Sequence, residues 1–259
     1  MFDLLRTRAR QGHRTISFPH GEPPELPGRF RGHPIIDQSR CAEGCTQCAD
    51  ACPTGAISSL PVLEVDLGKC LFCAECATAC PTGALSYGGD YRLAAGTRED
   101  LRVTQEQGVR LARALDAKSR RLFGRSLKFR QVSAGGCNGC ESEVNVLSTV
   151  VWDLGRFGVQ IVASPRHADG LIVTGPVTEN MRLALQQTYE AVAPPKLVVA
   201  VGACAVAGGP YIDHPEVHNG ADAVVPVDLY VPGCPPHPLT ILDGLLRLLG
   251  RIEASKTER

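Results

Sequence analysis

The stretch Cys70-Leu71-Phe72-Cys73-Ala74-Glu75-Cys76-Ala77-Thr78-Ala79-Cys80-Pro81 decides how the fold of this sequence is read. Two residues separate each of the first three cysteines, three separate the last pair, and a proline follows. An earlier run, Cys41-x3-Cys45-x2-Cys48-x3-Cys52-Pro53, has nearly the same pattern with one extra residue in its first gap. The segment Cys48-Ala-Asp-Ala-Cys52-Pro-Thr-Gly-Ala-Ile-Ser58 returns 28 residues later as Cys76-Ala-Thr-Ala-Cys80-Pro-Thr-Gly-Ala-Leu-Ser86. A repeat this short that occurs twice is two pseudosymmetric halves around one small core, not a solenoid.

The second run matches the bacterial two-cluster ferredoxin spacing, in which three cysteines hold one iron-sulfur cluster and the fourth reaches the other. Exchange of the fourth ligand between halves then gives one 4Fe-4S site at Cys41, Cys45, Cys48 and Cys80. It gives a second at Cys70, Cys73, Cys76 and Cys52. The wider gap from Cys41 to Cys45 bears on the potential of its cluster more than on its existence, and Gly55 and Gly83 suit the turns that follow. Structural zinc is the competing reading, since Cys-x2-Cys pairs also bind it; two interlocked four-cysteine runs ending in proline argue against it.

Four more cysteines, Cys137, Cys140, Cys204 and Cys234, lie beyond a cysteine-free stretch, each close to glycine. Glycine lets backbone N-H groups approach cluster sulfides. Spacing alone leaves zinc or unpaired buried thiols open for this set. Twelve cysteines in a chain without a roughly 7–15-residue apolar leader after its basic start point to metal ligation in a reducing, cytoplasmic setting rather than to disulfides.

The chain has 259 residues, 44% of them apolar, which allows two domains. Its richest apolar run, Leu197 to Ala207, is far short of the roughly 18 residues of a membrane span. Formal charge is zero, but twelve thiolates on three oxidised clusters would bring the loaded protein to about −6. No basic stripe suggests nucleic-acid binding.

The cysteine groups divide the chain into an N-terminal arm over 1–35, an α+β two-cluster domain over 36–95, a helical linker over 96–125 and an α/β domain over 126–259. Five prolines and three glycines from Pro19 to Pro34 predict an irregular arm. Helical spacing of Leu101, Val109, Leu111 and Leu115 among charges predicts the linker helix. Alternating β-branched and helical stretches predict a mainly parallel sheet. Its strands are expected at Leu127 to Val132, Val159 to Ala163, Gly170 to Val173, Leu197 to Val201 and Ala223 to Val227. Helices are expected near Glu141 to Trp152, Glu179 to Val192 and Leu239 to Leu249. The last four cysteines fall in loops leaving strands, where open parallel sheets build their sites.

Three motifs, Cys137-Asn-Gly-Cys140-Glu, Gly202-Ala-Cys204-Ala and Val231-Pro-Gly-Cys234-Pro-Pro, resemble the small subunit of energy-converting, formate-hydrogenlyase-type nickel-iron hydrogenases and its complex I homologue, the 20 kDa subunit. From Met1-Phe-Asp-Leu-Leu to about Leu101 the chain is similar to the ferredoxin-like subunit of the same hydrogenlyase, so it resembles a fusion of two neighbours. The resemblance implies a flavodoxin-like α/β fold and a proximal 4Fe-4S cluster at Cys137, Cys140, Cys204 and Cys234, facing a large subunit with a nickel-iron site. It also implies further membrane-arm or electron-donor subunits, a peripheral place on the inner face of the cell membrane, and an electron-transfer role with no activity alone. Complex I homologues have two adjacent cysteines where this chain has Cys137-x2-Cys140, which favours the hydrogenase branch over a quinone-linked complex. A reading of another class is a non-catalytic iron-sulfur sensing module.

Beyond the cysteines, the resemblance makes Glu143 a candidate proton relay; the plain alternative is an acid favoured in a helix's first turn. His237 stands where relatives commonly place arginine, so local charge there is expected to follow pH. His214 and His218, with Asp213 and Glu216, look superficially like a metal site, but Pro215 and Asn219-Gly220 indicate a solvated loop. The basic start, with Phe2, Leu4 and Leu5 among Arg6, Arg8, Arg10 and Arg14, is read as a docking arm rather than a lipid-inserting one.

Overall fold

The computed structural model describes residues 2–252. Helix α1 (Phe2–Gln11) leads into an irregular arm, as the prolines require. The arm crosses the molecule. Thr15 Oγ1 donates to the Val150 carbonyl at 2.8 Å, Ile16 N-H to that of Val151 at 3.0 Å, and the Arg156 guanidinium donates to the Ile16 and Phe18 carbonyls at 2.7 Å each. It then reaches the N-terminal unit, where Gly32 N-H donates to Gly88 O and a Cβ at Gly32 would stand 2.0 Å from the Asp90 carbonyl oxygen.

The N-terminal unit repeats one motif. In the first half, β1 (Pro34–Ile36), α2 (Gln47–Asp50) and β2 (Ile57–Ser58) follow in order, and in the second, β3 (Glu64–Asp66), α3 (Glu75–Ala79) and β4 (Leu85–Tyr87). β1 pairs antiparallel with β4, Pro34 opposite Tyr87, and β2 pairs antiparallel with β3. Both ladders thus join one half to the other. Leu63, Val65, Leu67 and Leu85 fill the space between them.

The expected linker helix is largely replaced. Val103 in β5 (Arg102–Val103) pairs with Val65 of β3, Leu67 N-H donates to Leu101 O, and both Leu101 and Val103 are fully buried. The four apolar residues that suggest a helix in sequence anchor to separate surfaces, Leu111 bridging to Ala95 and Leu115 N-H donating to the Leu248 carbonyl. A 3-10 turn at Glu99–Leu101 apart, only α4 (Ala117–Phe123) is helical, and Asp116 caps it by accepting from the Lys118 and Ser119 N-H groups. The N-terminal unit therefore extends past residue 95 to include β5.

The second unit runs β6 (Leu127–Ser133), α5 (Gly139–Val146), β7 (Val159–Ile161), β8 (Gly170–Thr174), α6 (Glu179–Ala191), β9 (Leu197–Val201), α7 (Ala203–Ala207), β10 (Leu229–Val231) and α8 (Pro238–Leu248). All five strands are parallel in the order β10-β9-β8-β6-β7. Counted from β6, that is the flavodoxin-like order 2-1-3-4-5. Every residue of β8 and β9 is buried, the continuous apolar pattern of strands covered on both faces.

Two sequence expectations are corrected here. The last strand is Leu229–Val231, not Ala223 to Val227: Val224 and Val225 N-H groups both turn back to the Ala221 carbonyl, and Pro226 has no N-H for a ladder. Helix α5 starts at Gly139 and stops at Val146, well before Trp152, because Thr149 Oγ1 takes the Val146 carbonyl and a β-branched run follows.

Helix α8 is buried along its whole length, which one sheet face cannot achieve. Its outer side is covered by the N-terminal unit: Ala95 and Tyr230 exchange both backbone hydrogen bonds at the free edge of β10, and a Cβ at Gly244 would lie 2.6 Å from Ala94 Cβ. Inside this joint Arg247 Nε donates to Asp243 Oδ2 at 2.8 Å, both side chains almost wholly buried. The two units share one interior.

Candidate iron-sulfur sites

In both halves of the N-terminal unit a Cys-Pro-Thr-Gly turn aims backbone donors at sulfur. Gly55 and Gly83 take φ of +60° and +63°, a region that costs other residues but not glycine. The next N-H groups, of Ala56 and Ala84, donate to Cys52 Sγ and Cys80 Sγ at 3.2 Å each. In the second half Phe72 N-H donates to Cys70 Sγ at 3.3 Å.

Cys52, Cys70, Cys73 and Cys76 line a single pocket with Pro53, Thr54, Ala56, Ile57, Leu71 and Tyr87. Burial pushes the Cys70 thiol up to about 11, and the Cys76 and Cys52 sulfurs push it the same way. Burial likewise raises Cys76, with Cys52 and Cys73 adding to it. The fourth cysteine of the first run therefore stands among three of the second. In the mirror arrangement burial raises Cys48, with Cys80 and Cys41 adding. At Cys80 the upward push of burial is outweighed by hydrogen bonds from Thr82 and Ala84. Cys45 is part-buried in the 41–46 loop and joins this set by its place in the chain.

The remaining four cysteines sit at the switch point of the parallel sheet, where the connections from β6 and β8 diverge. Cys137 and Cys140 follow β6, Cys204 follows β9 and Cys234 follows β10. Asn138, at φ +71°, turns the chain so that Cys140 enters the first turn of α5. Gly202 N-H donates to Val231 O and Ala203 N-H to Gly233 O, both at 2.8 Å, which ties the Cys204 loop to the Cys234 loop. A Cβ at Gly202 would stand 2.3 Å from Cys140 Sγ, so only glycine leaves room for that sulfur.

Burial pushes Cys140 well above the ordinary thiol range, with Cys204, Cys234 and Cys137 among the further causes. Burial pushes Cys204 up to about 12, again with Cys234 and Cys137 adding. Cys234 is raised by burial first, then by Cys137 and by Cys73 of the N-terminal unit. Thiols so placed resist ionising on their own, and a cationic iron core at their centre supplies the opposite charge that would let all four bind as thiolates. Among the described residues, no three His, Cys, Asp or Glu side chains are grouped to hold a single metal ion.

A cleft of about 210 Å³ joins the second and third sites, lined by Leu71 and Phe72 on one side, Cys234 and His237 on the other, and Arg29, Arg31 and Glu143 around it. Arg31 Nη1 donates to the Phe72 carbonyl at 3.2 Å. Glu143, part-buried, is raised by burial. His237 caps α8 by accepting the Leu239 N-H on Nδ1, packs edge-on against Phe30 and Trp152, and is pushed down by burial, so it stands neutral near neutral pH.

Sequence reasoning passed over Glu141 in favour of Glu143. Glu141 is 6% exposed beside Cys140; its Oε1 accepts from Ser133 Oγ at 2.6 Å and Thr174 Oγ1 at 2.7 Å, and Oε2 is buried without a hydrogen-bond partner. Burial works to raise it, but the two hydroxyls bring it below the ordinary range. Only the sheet that brings β6 and β8 to it makes it special. His214 and His218 lie in a loop: His214 Nδ1 accepts from Glu216 N-H, and His218 pairs with Glu179 Oε2 at 2.6 Å.

Residues 137–248 match the family of the NADH ubiquinone oxidoreductase 20 Kd subunit, and residues 40–84 match the 4Fe-4S dicluster domain. A probable membrane-bound hydrogenase subunit of Pyrococcus furiosus is 42% identical over 132 residues, 51% of this chain and 79% of that one. Formate hydrogenlyase subunit 7 of Escherichia coli is 43% identical over 129 residues, half of this chain and about half of that subunit's length. One subunit of the NADH-quinone oxidoreductase of Heliobacterium modesticaldum is 42% identical over 121 residues, 46% of this chain and 69% of the relative. The chain thus belongs to the family of the NADH ubiquinone oxidoreductase 20 Kd subunit, and is an iron-sulfur electron-transfer subunit of an oxidoreductase complex with a 4Fe-4S dicluster domain at its N-terminal side.

Proposed function

We propose that the chain is a three-site electron wire that serves the nickel-iron large subunit of a formate-hydrogenlyase-like hydrogenase. Cys41, Cys45, Cys48 and Cys80 hold the outer 4Fe-4S cluster. Cys52, Cys70, Cys73 and Cys76 hold the middle one, and Cys137, Cys140, Cys204 and Cys234 the proximal one. Each bound cluster supplies one-electron redox chemistry with little change of geometry. The observation that carries this reading is the single cleft that Leu71 and Phe72, between Cys70 and Cys73 of the middle site, share with Cys234 of the proximal one within a single chain.

Cys137 and Cys234 are exposed, which suits a partner surface over the proximal site. The Cys137-Asn-Gly-Cys140 spacing, rather than two adjacent cysteines, favours a hydrogenase large subunit as that partner. Glu143, raised by burial and facing the cleft beside Cys234, is placed to carry protons that accompany the electrons. No helix among the described residues is long and apolar enough to cross a membrane, so attachment to the inner membrane face falls to partner subunits, with α1 as a docking arm. The similarity to a quinone oxidoreductase subunit supports a second reading, in which the proximal site feeds quinone at the partner interface.

Anaerobic isolation of the native complex, with nickel, iron and zinc analysis, decides between them. Nickel with about twelve irons per chain supports the hydrogenase wire. Iron without nickel, together with quinone reduction, moves the assignment to the quinone-linked complex. Zinc in place of iron overturns both.

A further inference from the structure

The two halves of the N-terminal unit present the same backbone donors to their exchanged cysteines, Ala56 to Cys52 and Ala84 to Cys80. One side chain breaks the symmetry. Tyr87, at the end of β4, lines the cavity of the middle site and places its Oη 3.5 Å from Cys70 Sγ and 3.4 Å from Cys76 Sγ. Phe72 packs against its ring, centroids 6.1 Å apart, and the β1–β4 ladder fixes its backbone opposite Pro34. The 28-residue offset that superposes Cys76 on Cys48 and Cys80 on Cys52 puts Ser59 at the equivalent place in the first half. A serine side chain is too short to copy a phenol that spans two sulfurs.

We propose that Tyr87 tunes the middle site, its hydroxyl serving as a shared hydrogen-bond donor to the Cys70 and Cys76 sulfurs and setting the reduction potential of that site above that of its pseudosymmetric twin. The inference rests on the cluster assignment proposed above. Reduction adds one electron to the cluster core, no bond is made or broken, and the proton stays on the phenol oxygen. Donors to ligand sulfur stabilise the more negative, reduced state, and so raise the potential. The Phe72 N-H to Cys70 bond acts in the same direction. A middle site easier to reduce than the outer one makes transfer from the outer to the middle site downhill.

The test is a redox titration of the anaerobically loaded full-length chain, read by electron paramagnetic resonance, for wild type and Tyr87→Phe. One of three signals should titrate lower, its reduction equilibrium constant falling roughly tenfold, about 59 mV for one electron, with the other two unmoved. Three signals with none displaced, or all displaced together, would overturn the role of Tyr87 and leave the wire intact. Fewer than three signals in the wild type would instead overturn the cluster assignment. Site-specific 3-fluorotyrosine at position 87 keeps the ring's shape and donates more strongly, so its signal should move up; no upward shift overturns the proposal even if Tyr87→Phe fails to load.

Discussion

Replacing Gly202 with alanine should empty the proximal site and spare the other two. Two effects add at this position. Gly202 has φ +92° and ψ 155°, a region reached almost only by glycine, and a side chain there costs about 1–3 kcal/mol. The new Cβ would also stand 2.3 Å from Cys140 Sγ, where ordinary contact needs roughly 3.5–4 Å, so the sulfur must retreat by more than about an ångström. Metal sites tolerate deviations of only about 0.2 Å in ligand distance. Gly202→Ala should therefore lose about four of twelve irons and one of three cluster signals, measured by iron analysis and electron paramagnetic resonance on the anaerobically prepared chain. Gly244→Ala is the control: its Cβ would crowd Ala94 Cβ at 2.6 Å, an overlap between apolar groups away from every cysteine. It should cost stability, about 1–3 kcal/mol, yet keep all its iron. Full iron and three unchanged signals in Gly202→Ala would refute the argument that Cys140 binds a cluster through the space this glycine leaves.

Cys204→Ser should abolish the proximal signal and keep the two from the N-terminal unit; retention of all three would remove Cys204 from the ligand set. Arg247→Met leaves Asp243 buried without the guanidinium that bonds it at 2.8 Å, and should lower stability by about 3–5 kcal/mol in denaturant unfolding without changing iron content. Glu143 is held above its ordinary carboxyl value of 4.5 by burial. The native state then keeps a proton that the unfolded chain has released, so stability falls as pH rises from the unfolded value through the folded one. Glu143→Gln mimics the protonated form, so its stability advantage over wild type should be absent at low pH and grow toward neutral pH. Thermal midpoints that stay parallel from below pH 4.5 up to pH 8 would show that Glu143 does not titrate as its burial requires.

Much of the first unit was legible because thiol chemistry constrains cysteine spacing along the chain: the two cysteine runs, the placing of Cys52 among Cys70, Cys73 and Cys76, and the glycine turns can be read without a structure. The buried strands β8 and β9 were also plain, since continuous apolar runs of strand length have few other uses. Less could be read where a residue's role depends on distant partners. Leu101 and Val103 fit a helix by spacing, but β3 takes them as a strand, and Pro226 ends a run of valines that composition alone favours. Glu141 looks like any acid at a helix start until Ser133 and Thr174 close on it from two strands.

The sequence by itself determined which residues are candidate ligands, because residue type and local spacing are properties of the chain. Only the tertiary structure decided how the sites are joined. The β10 edge takes up Ala95, the N-terminal unit covers helix α8, and Leu71 and Phe72 come to line one cleft with Cys234. Those contacts link residues more than a hundred positions apart, and packing, not local pattern, selects them.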